Sequence, residues 1–255
     1  MNKSVSPVAI VVDQGVDGVG KGVAEWLRER KRPTQYILAE RLALCRLEVT
    51  PTRAICDGQV VGSVFFHCHT HANYGADFEE PDQGFASDEV RATWLSILQI
   101  PSVLTINQVD AELWYTSAEW AVWRKRLQQA GVPLANVAVG DSKVFSTWSW
   151  LPWGGGILGV PGCHVRRAFA PALTEGNAFQ QSLWCEGQVF SGPSGKHVAV
   201  AGKVMASYGL HLGSILTNQR EEVVSCTTAC TVPDSLTLEI ATRIAEVINA
   251  HLCRW

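Results

Sequence analysis

Residues 11–27 read VVDQGVDGVGKGVAEWL, and this stretch decides the fold of the N-terminal half. The apolar run from Val8 to Val12 is typical of a buried parallel strand. A glycine-rich turn follows it, and the next segment places Val23 and Leu27 on one face of a helix. The order of strand, turn and helix predicts the first unit of an α/β domain.

The same turn fits the frame of a phosphate-binding loop. Gly15 to Lys21 matches G-x-x-x-x-G-K, in which backbone amides and the lysine hold phosphates. The Ser or Thr that would hold Mg²⁺ is replaced by Gly22. We therefore interpret the segment as a turn in which glycines allow positive φ, with anion binding at the helix N-terminus beside Lys21 as the alternative.

Alternating strands and helices continue through the first half. VVGSVFFHC (60–68) and PSVLTIN (101–107) are predicted strands, and RLALCRLEV (41–49) is further strand material. Between them, Ser87 is predicted to cap a helix. We predict an α/β fold in which residues 1–115 form a mostly parallel sheet with flanking helices.

The second half, residues 116–255, is predicted to be α+β. Its first helix is expected to stop at Gly131. KHVAVAGKVMA (196–206) and EEVVSC (221–226) are predicted as antiparallel strands. PDSLTLEIATRIAEVINAHL (233–252) has the cap and the apolar face of a terminal helix.

Composition excludes several classes of function. The net charge is −3, and Lys and Arg form no basic stripe of the kind that binds nucleic acid. The first apolar run is too short for a signal core or a membrane span. The eight cysteines are therefore expected to be reduced thiols in a cytoplasmic protein.

The stretch FFHCHTH suggests a metal site. In an extended strand His67, His69 and His71 share one face, and three imidazoles there can bind Zn²⁺, Fe²⁺ or Cu²⁺. A metalloenzyme built on this cluster is one hypothesis. Hydrogen-bonded loop histidines are the alternative.

Tryptophans cluster in TWSWLPWGGG (147–156). Trp148, Trp150 and Trp153 lie in a segment without periodicity that ends in three glycines. Such an aromatic loop is typical of a lid or of a surface for a protein partner or self-association, which predicts an oligomer. A packed irregular loop is the alternative.

Residues 120–141, 179–210 and 221–252 form three segments that resemble ATP-grasp proteins in order and spacing. WAVWRKRLQQAGVPLANVAVGD (120–141) is similar to the helix and strand that enter their central domain. FQQSLWCEGQVFSGPSGKHVAVAGKVMASYGL (179–210) and the final segment (221–252) resemble the strand pairs and terminal helix that follow. The resemblance covers about half of the chain.

This resemblance implies a nucleotide, a metal and a reaction. ATP and Mg²⁺ would serve the joining of a carboxylate to an amine, on a small-molecule or peptide substrate of a biosynthetic or modification pathway. Arg166 or Lys203 would contact phosphates, Glu186 would contact the adenine or ribose edge, and Lys21 is a further candidate for nucleotide binding.

One departure from the family pattern supports a second hypothesis. Where an acidic residue and then Asn would be expected to hold Mg²⁺, residues 225–230 read SCTTAC. Glu221 and Glu222 lie at the start of the predicted strand EEVVSC and not at its end. The alternative is thus a non-catalytic partner or scaffold, a pseudoenzyme that has lost nucleotide chemistry.

Overall fold

The computed structural model describes residues 6–67, 79, 82–107, 119–136, 138–140, 148–150, 167–171, 179–192, 194–227 and 230–255. The chain divides into two compact units. Unit 1 comprises Met1–Trp114 and Thr231–Trp255, and unit 2 comprises Tyr115–Cys230. The last helix, which the sequence-based division assigns to the second half, therefore packs within unit 1. Independent domains at 1–115 and 116–255 stay a prediction.

The described elements are five α-helices and thirteen strands. The helices are α1 (Val19–Glu29), α2 (Gln83–Leu98), α3 (Glu119–Gln129), α4 (Lys196–Ser207) and α5 (Asp234–Leu252). Strands β1 to β6 of unit 1 are Val8–Asp13, Thr34–Leu38, Leu47–Thr50, Arg53–Cys56, Gln59–His67 and Leu104–Ile106. Strands β7 to β13 of unit 2 are Ala138–Gly140, Trp148–Trp150, Arg167–Pro171, Phe179–Cys185, Gln188–Ser191, Leu212–Asn218 and Val223–Thr227.

The sheet of unit 1 is parallel at its centre. Its order is β2-β1-β5-β4-β3, and β6 also pairs with β5. The pairs β1–β2, β1–β5 and β5–β6 are parallel, and β3 and β4 add antiparallel strands. Asp13 stands beside both Leu38 and His67 in the register. The predicted α/β class is confirmed, and three neighbouring strands end at one edge of the sheet.

Helix α1 lies against α5. The glycines of α1 permit this approach, since a Cβ at Gly22 would lie 3.0 Å from the Cβ of Ala241. Ile240, Ile244 and Ile248 on α5 are fully buried, which confirms the apolar face predicted from the sequence. Packing of α5 therefore explains Gly22, the residue that departs from the phosphate-binding motif.

Two predictions in unit 1 are wrong in detail. The first four residues of the expected strand RLALCRLEV lie in a 3-10 helix, Ala39–Leu44, and strand is formed only at Leu47–Thr50. Helix α2 begins at Gln83, so Ser87 lies inside the helix and does not cap it. Tertiary contacts outweigh local propensity at both places, because Leu42 and Ser87 are buried.

Unit 2 contains two antiparallel sheets, ordered β11-β10-β12-β13 and β7-β9-β8. Helix α3 ends at Gln129, and Gly131 follows with φ 72°, which confirms the predicted stop. Arg124 donates hydrogen bonds of 2.7 Å to the carbonyls of Ala135 and Val224. The bond to Val224 connects α3 to β13, and the bond to Ala135 connects it to the segment that follows α3.

The predicted strand KHVAVAGKVMA is wrong, because it forms α4. Its buried residues, Val198, Ala201, Gly202 and Met205, follow the spacing of one helix face. Gly202 faces Trp184 on β10 so closely that an added Cβ would overlap the indole Nε1. Only glycine therefore fits at this point of the packed helix.

Candidate functional site

The carboxyl ends of β1 and β5 bring a buried carboxylate and an imidazole together. Asp17, in the turn after β1, has both oxygens 2.9 Å from Nε2 of His67, the last residue of β5. The side chains are 1% exposed for Asp17 and 8% for His67. Open α/β sheets place their ligands at this edge.

Asp17 also accepts hydrogen bonds from two backbone amides, one within its own turn and one from the segment before α5. Its Oδ1 accepts the Val19 amide at 3.1 Å, and its Oδ2 accepts the Val232 amide at 2.8 Å. Burial raises the pKa of the Asp17 carboxyl, but the hydrogen bond and charge of His67 and these amides outweigh it. The net pKa lies below the ordinary value, so Asp17 is a stable anion that joins α1, β5 and the segment before α5.

A second carboxylate lies beside this pair. Asp13 is fully buried, and one of its oxygens accepts the Tyr36 hydroxyl at 2.8 Å. Burial, together with the hydrogen bond to Asp13, raises the pKa of Tyr36, so the phenol stays protonated and donates. The other oxygen, Oδ1, has no hydrogen-bond partner among the described residues. Asp13, Asp17 and His67 each offer a ligand atom within 4.8 Å of the others.

The glycine-rich turn is confirmed as a strand-to-helix turn. Gly15 and Gly18 both have φ 74°, and Gly18 occupies the N-cap position of α1. A Cβ at Gly20 would lie 2.5 Å from Cγ of Asp13, so this glycine lets α1 approach the buried carboxylate. Lys21 points to solvent, with 68% of its side chain exposed and Nζ 3.8 Å from Glu25.

Other predicted site residues lie in unit 2. Glu186 occupies the tight turn between β10 and β11 with φ 47°, and its carboxylate lies 2.5 Å from Nδ1 of His211. Lys203 is exposed on α4. Arg166, His69, His71 and Trp153 lie outside the described residues, as do the side chains of Trp148 and Trp150. Whether Lys21, Glu186 and Lys203 bind nucleotide stays a prediction.

The strand pair β12–β13 carries no acidic residue. Leu216 pairs with Ser225 and Ile215 with Cys226 in the register. Asn218, at the end of β12, donates to Glu222 at 2.7 Å, so this carboxylate is engaged in the hairpin turn. Neither strand presents the carboxylate oxygens that Mg²⁺ prefers.

Cys45, which follows the 3-10 helix, and Cys56, the last residue of β4, form a thiol pair. Their sulfur atoms and a carboxylate oxygen of Asp57 lie within 4.8 Å of one another. A hydrogen bond from Cys56 lowers the pKa of Cys45, which is partly exposed. The bond to Cys45 and burial together raise the pKa of Cys56. Cys45 is thus the more accessible thiol of this pair, and its pKa is the one that is lowered.

Replacement of Cys56 by alanine is expected to slow the alkylation of Cys45 several-fold. The substitution removes the donor that stabilises the Cys45 thiolate. Iodoacetamide labelling, followed by mass spectrometry of the peptides, measures both Cys45 and the exposed Cys253 as an internal control. An unchanged Cys45 rate in Cys56→Ala would show that the pair does not interact in solution.

The fold is ATP-grasp-like. No protein-family model and no curated protein sequence matches the chain significantly. Among solved structures, the ATP-grasp ligase PsnB, complexed with precursor peptide PsnA2 and AMPPNP, is similar with a TM-score of 0.68 and 13% identity. That similarity covers 99% of this chain and 99% of PsnB. The structural similarity therefore extends well beyond the half of the chain that the sequence resemblance covers.

Two further structures are similar over nearly their whole length. The macrocyclase MdnC of Microcystis aeruginosa, bound with precursor peptide MdnA, has a TM-score of 0.65 and 10% identity, covering 96% of this chain and 99% of MdnC. A RiPP-associated ATP-grasp ligase of Chryseobacterium gregarium, in complex with ADP and a leader and core peptide, has a TM-score of 0.59 and 10% identity. That comparison covers 97% of each chain.

Sequence reasoning missed Asp13 and Asp17. Their partners lie far away in the sequence, since His67 is 50 positions and Val232 is 215 positions from Asp17. The one available signal was an Asp at the end of a fully apolar strand, where functional side chains of parallel sheets are often found.

No described helix is both long and apolar enough to cross a membrane.

Proposed function

We propose that this chain is a divergent ATP-grasp-like protein of a peptide-modification pathway, and that its partner is a peptide substrate. The observation that supports the proposal is the extent of the structural similarity. It runs over 99% of both chains to a ligase described with a precursor peptide and AMPPNP. The ancestral chemistry is ATP-dependent joining of a carboxylate to an amine.

Nucleotide binding would use the candidate residues named from the sequence. Arg166 or Lys203 is the proposed phosphate contact, Glu186 is the proposed contact to adenine or ribose, and Lys21 is a further candidate for nucleotide binding. Phosphoryl transfer depends on positioning and on positive charge that offsets the developing negative charge. Lys21 and Lys203 are exposed and therefore accessible to a nucleotide.

A specific observation favours a second candidate, a non-catalytic partner that keeps the fold. Strands β12 and β13 carry no carboxylate, and Leu216 stands opposite Ser225 in their register. Without acidic ligands there, Mg²⁺ would have to be held elsewhere for ligation to occur. Cytoplasmic location and self-association through the Trp148–Trp153 segment belong to this proposal as well.

AMPPNP with Mg²⁺ is expected to raise the melting temperature of the purified protein. A ligand at a hundred times its dissociation constant adds about 2.7 kcal/mol to the free energy of unfolding. Differential scanning fluorimetry with AMPPNP, with Mg²⁺ alone and with both separates nucleotide binding from metal binding. Lys203→Ala and Glu186→Ala should reduce the shift, whereas Glu246→Ala is the matched surface control because Glu246 is exposed on α5.

The outcomes separate the two candidates. A shift that needs Mg²⁺ and decreases in Lys203→Ala supports the ligase-like function. A shift with AMPPNP alone supports nucleotide binding without ligation. No shift under any condition rejects the nucleotide-dependent proposal and leaves the partner protein.

A further inference from the structure

Asp13 is the residue that a purely structural account of the site leaves unexplained. The hydrogen bonds from Val19, Val232 and His67 satisfy Asp17, which would be enough to give that carboxylate a structural role. Asp13 is fully buried, yet its Oδ1 accepts no hydrogen bond from any described residue. An unpaired buried carboxylate oxygen is costly, and a bound cation would offset that cost.

We propose that Asp13, Asp17 and His67 bind a divalent transition-metal ion, Zn²⁺ in the first instance, at the carboxyl edge of the parallel sheet. This site differs from the predicted cluster of three histidines, because only His67 is shared. It is also independent of the nucleotide chemistry proposed above. Its residues all lie in unit 1.

The geometry suits an ion of this size. Three ligand atoms within 4.8 Å of one another surround a point that is at most about 2.8 Å from each. Zinc-to-nitrogen and zinc-to-oxygen bonds are about 2.0–2.2 Å long, so side-chain adjustments of less than about 1 Å are enough. The 2.9 Å separation of His67 Nε2 from the Asp17 oxygens is that of a hydrogen bond, which an ion bound to both groups would replace.

The chemistry of the donor set also favours such an ion. An imidazole with two carboxylates is a ligand set that suits Zn²⁺ or Mn²⁺ better than a soft monovalent ion.

The hydrogen bonds to Asp13 and Asp17 are of the kind that orients metal ligands. The Tyr36 hydroxyl donates to Asp13, and the Val19 and Val232 amides donate to Asp17. An ion would replace the His67 hydrogen bond at Asp17, whose oxygens would keep their bonds from the Val19 and Val232 amides. Partners of this kind orient metal ligands, and their loss weakens metal affinity by about 10–100-fold.

The test begins with the metal content of the full chain. Elemental analysis should find about one equivalent of a divalent transition metal per chain after purification without chelator, or after Zn²⁺ is added to chelator-treated protein and excess is removed. Asp13→Asn and His67→Gln should abolish this stoichiometry, and Tyr36→Phe should weaken it by about 10–100-fold. Cys45→Ser should leave it unchanged, which excludes binding by the thiol pair.

Thermal stability provides a second readout that needs no activity. Zn²⁺ should raise the melting temperature of chelator-treated wild type and of Cys45→Ser, but not that of Asp13→Asn. The proposal is overturned if wild type takes up no Zn²⁺ or Mn²⁺, or if Asp13→Asn is stabilised equally. Where Asp13→Asn does not fold, metal content of wild type and of His67→Gln decides. AMPPNP binding can fail while this metal binding succeeds, so the two proposals are tested separately.

Discussion

Replacement of Asp17 by alanine is expected to lower the free energy of unfolding by about 3–5 kcal/mol. The substitution removes the buried partner of His67 and leaves the Val19 and Val232 amides without their acceptor. Urea denaturation in buffer with chelator measures the effect on the fold without any contribution from a bound metal. The loss should appear in the unfolding of unit 1, to which all four residues belong.

Two controls make this result specific. Glu25 has 59% of its side chain exposed, so Glu25→Ala should change the stability by no more than about 0.5 kcal/mol. Asp17→Asn keeps one oxygen that can accept an amide but lacks the charge, so it should fall between alanine and wild type. If Asp17→Ala were as stable as Glu25→Ala, the pair with His67 would not be part of the folded state in solution.

The second large effect is expected in unit 2. Trp184→Ala should lower the free energy of unfolding by about 3–5 kcal/mol, because the indole is 2% exposed and its removal leaves a cavity beside α4. Gly202 provides the test of this packing. In wild type, Gly202→Ala should destabilise by about 1–3 kcal/mol, since the added methyl group overlaps Trp184.

In the Trp184→Ala background the sign of the Gly202 effect should reverse. The methyl group then has space, and alanine is favoured over glycine within a helix by about 1 kcal/mol. Urea denaturation of wild type, the two single variants and the double variant measures this coupling. An equal effect of Gly202→Ala in both backgrounds would contradict the packing of α4 on β10.

Prediction from sequence succeeded where the hydrophobic periodicity agreed with the positions of turn-forming and helix-ending residues. The apolar strand β1, the helix α1 with its apolar face and the Gly131 stop follow from local pattern. It failed for α4, because HVAVAGKVMA alternates small and β-branched residues in a way that also fits a strand. The buried residues Val198, Ala201, Gly202 and Met205 have helical spacing. This spacing is hard to recognise in the sequence, because Gly202 has no side chain and adds nothing to an apolar pattern.

The candidate site was predicted only in part. The glycine-rich turn and His67 were singled out separately, whereas the structure joins them through Asp17. The pattern G-x-x-x-x-G-K drew attention to Lys21, which points to solvent, and away from the two aspartates beside it. Local sequence cannot reveal such a cluster, because its residues meet only after the sheet has formed.

The bond from the Val232 amide to Asp17 spans 215 positions, and this has a consequence for synthesis. During translation, all of unit 2 leaves the ribosome before residue 232 does, so unit 2 has the chance to fold first. Until α5 arrives, the face of α1 that it covers stays exposed to solvent and to other nascent chains. In the order of synthesis, unit 1 therefore begins first but is completed only after unit 2.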